Sequence, residues 1–141
     1  MTTTLRNILG DRPVHSLPRD ATVARAARMM TENRVGALVV LDGDTLVGIV
    51  TERDVVFRCV GVDRRPDTTT VADIMTADPV TIDINDAVSN ALAAKLGNNF
   101  RHLPVMENGR IAGLLSFRDI PAEYVMLYER FREMTMSRAD S

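Results

Sequence analysis

Apolar positions along this chain switch between two periods, and each switch marks an element. Val14 to Leu17 predicts a short strand, and Pro18-Arg19-Asp20-Ala21 a turn. Val23, Ala26, Ala27 and Met30 then recur at i, i+3, i+4 and i+7. That spacing predicts a helix to about Asn33, with Thr22 as its N-cap. Val35 to Leu41 is a nearly continuous apolar run, and Leu46 to Val50 is a second. The turn Asp42-Gly43-Asp44 between them predicts a hairpin. Thr51 opens a second helix through about Val60. The unit is β-α-β-β-α.

The unit occurs twice. Gly48-Ile49-Val50-Thr51-Glu52-Arg53-Asp54 returns 65 residues later as Gly113-Leu114-Leu115-Ser116-Phe117-Arg118-Asp119, in the pattern G-h-h-[ST]-x-R-D with h apolar. Val23 falls on Val88, Ala26 on Ala91, Leu38 on Leu103 and Val40 on Val105 at the same offset. Leu5-Arg6-Asn7-Ile8 matches Val71-Ala72-Asp73-Ile74, and leads into Pro13-Val14 and Pro79-Val80, one residue out of phase. The second copy predicts a strand over Val80–Ile84 and a helix from Ala87 to about Leu96 capped by Asp86. Strands over Phe100–Met106 and Ile111–Leu115 pair around Glu107-Asn108-Gly109. Ser116 opens a closing helix that continues past Pro121 to about Met136.

The fold class is therefore α/β. Residues 5–60 form the first unit and 71–125 the second. Residues 61–70, polar, Pro-bearing and aperiodic, form a linker, and 126–141 a C-terminal helical extension and tail. Two copies of one unit bury their faces against each other about a pseudo-two-fold axis, so the motif is presented twice.

Composition acts mainly by exclusion. At 141 residues and 45% apolar content, the chain has room for one domain or two small dependent ones. A net charge of −2 gives no footing for nucleic acid or an anionic membrane, and with no Trp a base-stacking platform is not expected. The N-terminus lacks a signal peptide's apolar run, and no stretch approaches the ~20 apolar residues of a membrane span. Cys59 is the sole cysteine, which points to a cytoplasmic protein without internal disulfides.

The tandem unit, with its paired G-h-h-[ST]-x-x-D motif, resembles the cystathionine-β-synthase (CBS) domain family. Arg34-Val35-Gly36-Ala37-Leu38-Val39-Val40, Asp73-Ile74-Met75-Thr76 and Phe100-Arg101-His102-Leu103-Pro104-Val105 carry the same resemblance. It implies a stand-alone pair, or Bateman module, without catalytic activity. Such a module binds adenosine-containing ligands between its copies and reports occupancy to an unidentified partner protein. AMP is the first expectation, with ADP, ATP or NAD(H) as further ligands and S-adenosylmethionine in some members. By the same resemblance, Thr51, Arg53 and Asp54 face Pro79, Val80, Phe100, Arg101 and His102 across one cleft. Ser116, Arg118 and Asp119 face Val14, His15, Val35, Gly36 and Ala37 across the other. Arg101 and His102 would reach a phosphate. Their counterparts Gly36 and Ala37 carry no charge and leave room for backbone hydrogen bonds to a base edge.

As bare chemistry, the motif has two readings. A hydroxyl before a helix and an acid three residues on make a capping box, with no ligand needed. Alternatively, the carboxylate accepts two hydroxyls of a ribose. The Arg before each Asp, which a capping box does not require, favours the second. No metal is expected, because turn chemistry explains Asp83, Asn85 and Asp86, and His15 and His102 lack partners at ligand spacing. Tyr124, Leu127, Tyr128 and Phe131 make an apolar stripe at i, i+3, i+4 and i+7, which predicts a homodimer. Folding back onto the core is the other use of that stripe. A ligand-free dimeric adaptor is the alternative to a nucleotide sensor.

Overall fold

Each half of the chain builds a sheet around one hairpin. The computed structural model describes residues 3–98 and 101–139. In chain order the first half holds α1 (Leu5–Leu9), β1 (Ser16–Pro18), α2 (Val23–Asn33), β2 (Ala37–Asp42), β3 (Thr45–Thr51), α3 (Glu52–Arg58) and a 3-10 turn at Val60–Val62. The second holds α4 (Val71–Ile74), β4 (Thr76–Ala77), β5 (Ile82–Asp83), α5 (Val88–Asn98), β6 (His102–Glu107), β7 (Arg110–Ser116), a 3-10 turn at Phe117–Asp119 and α6 (Ala122–Ala139).

The sheets run β1-β2-β3-β4 and β5-β6-β7. In each, the first strand lies parallel to the second and the hairpin is antiparallel. Both hairpins carry a register shift at the same place, between Val40 and Leu41 and between Val105 and Met106. Asn108 and Gly109 both sit at positive φ, 53° and 78°, as a tight two-residue hairpin turn requires. The inner strands are buried because they are apolar on both faces: Leu38, Val39, Val40, Leu103 and Val105 are all at 0% exposure.

The cores do not follow chain order. Leu5 and Leu9 of α1 pack with Ile84, Val88, Leu103, Leu115 and Ile120, in the second half. Val71 and Ile74 of α4 pack with Leu17, Val23, Leu38, Val50 and Cys59, in the first. Backbone hydrogen bonds fix each exchange reciprocally. The Val23 amide donates to the Thr69 carbonyl while the Val71 amide donates to that of Ala21, at 2.8 Å each. At the other end, the Val88 amide donates to the Thr3 carbonyl and the Leu5 amide to that of Asp86, at 3.1 Å each. These contacts satisfy amides that a helix start leaves unpaired. They also dock residues 61–70 onto α2, with Thr69 buried and the Pro66 carbonyl accepting from the Ala24 amide.

The repeated glycine of the motif now has a reason. A Cβ on Gly48 would come within 2.4 Å of Met75 Sδ and 3.0 Å of the Thr76 carbonyl oxygen. One on Gly113 would come within 2.8 Å of Leu9 Cδ1. Glycine lets β3 and β7 each accept the helix that crosses over to it.

Two local expectations need correction. Asp86 is not the cap of α5: its carboxylate accepts from the Asp83 amide at 3.2 Å, and the helix starts at Val88. The closing helix does not run on from Ser116. It makes one 3-10 turn, Ile120 is extended, and α6 starts afresh at Ala122. Pro121 is the cause, because it disfavours helical geometry in the residue before it. Within α6, Tyr124, Val125 and Tyr128 pack on the second core, whereas Leu127 and Phe131 are 61% and 68% exposed. Part of the stripe thus folds back onto the core, and part of it stays exposed. No helix among the described residues is long and apolar enough to cross a membrane.

Candidate ligand cleft

The two halves meet around one cavity of about 1300 Å³. That exceeds the ~300–1,000 Å³ of ordinary small-molecule pockets. It is lined from the first half by Val14 and His15 ahead of β1, by Val35, Gly36 and Ala37 at the start of β2, and by Glu52. From the second half it is lined by Arg101 and His102 at the start of β6 and by Ser116, Arg118 and Asp119 after β7.

Strand register explains this grouping. His102 pairs with Ser116 and Ala37 with Thr51, so the start of each hairpin lies beside its own motif. The Phe117 amide donates to the Arg101 carbonyl, and the Glu52 amide donates to its counterpart on Gly36. This geometry regroups two of the expected site residues. Arg101 and His102 stand with Ser116, Arg118 and Asp119, not across from Thr51 and Asp54.

The two motifs share a local structure and differ in surroundings. In both, the hydroxyl accepts from the backbone and the carboxylate accepts from the hydroxyl residue's own amide, Thr51 to Asp54 at 2.9 Å and Ser116 to Asp119 at 3.2 Å. The capping box is therefore present twice. Asp54 is buried, and its other oxygen lies 3.7 Å from Arg58 Nε of its own helix. Neither Thr51, Arg53 nor Asp54 lines the cavity, and Arg53 stacks on the Phe57 ring at 4.7 Å. Pro79 and Val80 lie outside the cavity too, with Val80 exposed. Phe100 lies outside the described residues.

Asp119 does face the cavity. Its Oδ1 is 2.7 Å from Arg12 Nη1, and its side chain keeps 24% of its exposure. The sequence reading did not single out Arg12, Arg34 or Glu52 as site residues, yet all three line the cavity. Arg12 stands two residues before Val14, and Glu52 occupies the variable position of the motif; only those neighbours signalled either. Gly36 leaves the room that Glu52 fills, since a Cβ there would sit 3.0 Å from Glu52 Oε1. In all, four guanidinium groups, of Arg12, Arg34, Arg101 and Arg118, face two carboxylates, of Glu52 and Asp119.

His102 sits among these charges. Burial pushes its imidazole below the usual value, Glu52 and Asp119 pull it back up, and Arg118 and Arg101 add to the lowering. The ring is accordingly neutral near pH 7, and an anion beside it would draw a proton onto it. No group of three or more His, Cys, Asp or Glu among the described residues is arranged to hold a metal ion. The arrangement can hold a molecule that offers hydroxyl donors at one end and negative charge at the other.

Residues 5–61 and 71–123 each match the family model described as CBS domain. A CBS domain-containing protein of Arabidopsis thaliana is 39% identical over 101 residues, 71% of this chain and 18% of that protein. An uncharacterized 17.7 kDa protein of Acidianus ambivalens is 38% identical over 109 residues, 76% of this chain and 65% of that protein. The chain thus spans less than two thirds of these curated relatives. Among solved structures, a CBS domain protein from Pyrobaculum aerophilum complexed with AMP is 32% identical, with a TM-score of 0.80 over 90% of this chain and 97% of that one.

Proposed function

This chain belongs to the CBS-domain family, and on that premise we propose that its cleft binds an adenine nucleotide whose occupancy regulates a partner protein. AMP is the first candidate, followed by ADP, ATP and NAD(H). One observation carries the reading: a partly exposed carboxylate, Asp119, shares a cavity with four arginines. A ribose needs the first and a phosphate the second. Val14, Val35, Ala37 and Leu114 supply apolar wall for a base. The solved relative complexed with AMP supports the same ligand class. The module does no chemistry under this reading. It shifts between states by as much as the ligand's affinities for them differ.

Thermal and chemical unfolding with each nucleotide tests the proposal. A ligand at about 100 times its dissociation constant adds about 2.7 kcal/mol to stability. Unchanged unfolding with AMP, ADP, ATP and NAD(H) at millimolar concentration rejects it, and supports the ligand-free adaptor instead.

The proposal includes a homodimer, supported by the exposed apolar side chains of α6: Met126, Leu127, Phe131 and Met134 are each more than half exposed. Sedimentation should show about twice the 15.6 kDa chain mass at micromolar concentration. A chain ending after Val125 should lose that association. A monomer throughout rejects the dimer, and a truncated chain that still dimerises removes α6 from its cause.

A further inference from the structure

We propose that Arg12 sets the ligand preference of the cleft, by occupying the Asp119 carboxylate until a phosphate draws its guanidinium away. The inference rests on the nucleotide reading and names what selects among such ligands. Arg12 lies on the segment that leaves α1, packed in the second core, and enters β1 in the first. Its Nη1 stands 2.7 Å from Asp119 Oδ1. Asp119 Oδ2 already accepts from the Ser116 amide. A ribose that engages both oxygens must therefore compete with Arg12 for Oδ1.

The pair is built to exchange. The Arg12 side chain is 55% exposed, and ion pairs this open to water hold weakly. Once displaced, its guanidinium stands in a cavity already lined by Arg34, Arg101 and Arg118, with Glu52 the remaining carboxylate. A nucleoside takes the acceptor and leaves that charge uncompensated. A nucleotide takes the acceptor and returns a phosphate, which a guanidinium grips with two parallel bonds. Arg12 thus opposes the first ligand and favours the second.

The other copy lacks the device. Pro13 and Pro79 correspond, which puts Asp78, an acid, where the first copy has Arg12. Asp54 pairs with Arg58 of its own helix instead.

Calorimetric titration of AMP and adenosine into the full chain and into Arg12→Ala tests the idea. Arg12→Ala should bind adenosine several-fold more tightly and AMP more weakly. The AMP-to-adenosine affinity ratio should fall on the order of tenfold or more. Arg12→Lys, which keeps the charge, should retain most of the ratio. Arg12→Gln repeats the test with the side-chain length nearly kept, should Arg12→Ala not fold. An unchanged ratio in either neutral variant, with the unmodified chain binding AMP, overturns the role of Arg12 alone. An unmodified chain that binds neither ligand overturns this role together with the nucleotide reading.

Discussion

Leu5→Ala should destabilise the far half of the chain by about 2–5 kcal/mol, the range for truncating a fully buried leucine. Leu5 is at 0% exposure and touches a core that, apart from α1, is built from residues 82 onward. A five-residue helix has almost no stability of its own, so α1 is held by that burial and by the three backbone hydrogen bonds that tie residues 3–6 to the second half. Denaturant unfolding measures the total, and amide hydrogen exchange locates it. Protection should fall in β6 and β7 before it falls in β2 and β3. A loss below about 1 kcal/mol, or protection lost first in β2 and β3, would mean that α1 does not hold the second core together.

Asp119→Ala should weaken AMP binding by roughly tenfold or more, the 1.5–3 kcal/mol of a hydrogen bond to a charged group. Asp54→Ala should leave binding close to that of the unmodified chain, because Asp54 is turned to Arg58 and lies outside the cavity. It should instead reduce stability by about 0.5–1.5 kcal/mol, because the Thr51 amide loses its carboxylate acceptor while the Thr51 hydroxyl still caps α3. The pair of variants separates two roles for one motif. Equal losses of AMP affinity in both would restore the two-cleft arrangement that the repeat suggests. Unchanged affinity in Asp119→Ala would remove the carboxylate from the site.

What the repeat makes legible is equivalence, and equivalence is not partnership. The hairpins, their turns, the Thr22 cap and the matched positions Leu38 and Leu103 all follow from local pattern, and the structure has them. The match of Leu5–Ile8 with Val71–Ile74 is visible as well. It carries no sign that each helix crosses to the other half, because apolar spacing says that a face is buried and not against what. The same limit applies to the cleft. Ser116, Arg118 and Asp119 are readable from their motif, and their company with Val35, Gly36 and Ala37 is what the family resemblance implies. Arg12 and Glu52 are not, since they reach the cavity through the crossing of α1 and through the space left at Gly36. The resemblance sets Arg101 and His102 across from Thr51 and Asp54, whereas strand register puts His102 beside Ser116.

The crossed helices also set an order of events as the chain leaves the ribosome. Residues 17 to 75 hold the first core and the side chains packed on it, so that half can close soon after Met75 emerges. Leu5 and Leu9, made earlier, cannot complete their burial before Leu115 is made. At about 5–20 residues per second, the interval from residue 75 to residue 115 lasts roughly 2–8 s. For that time a finished half carries a loose apolar segment ahead of β1, and a nascent neighbour's second half would accept it as readily as its own. The stage at which α1 could exchange between neighbouring chains is therefore late in translation.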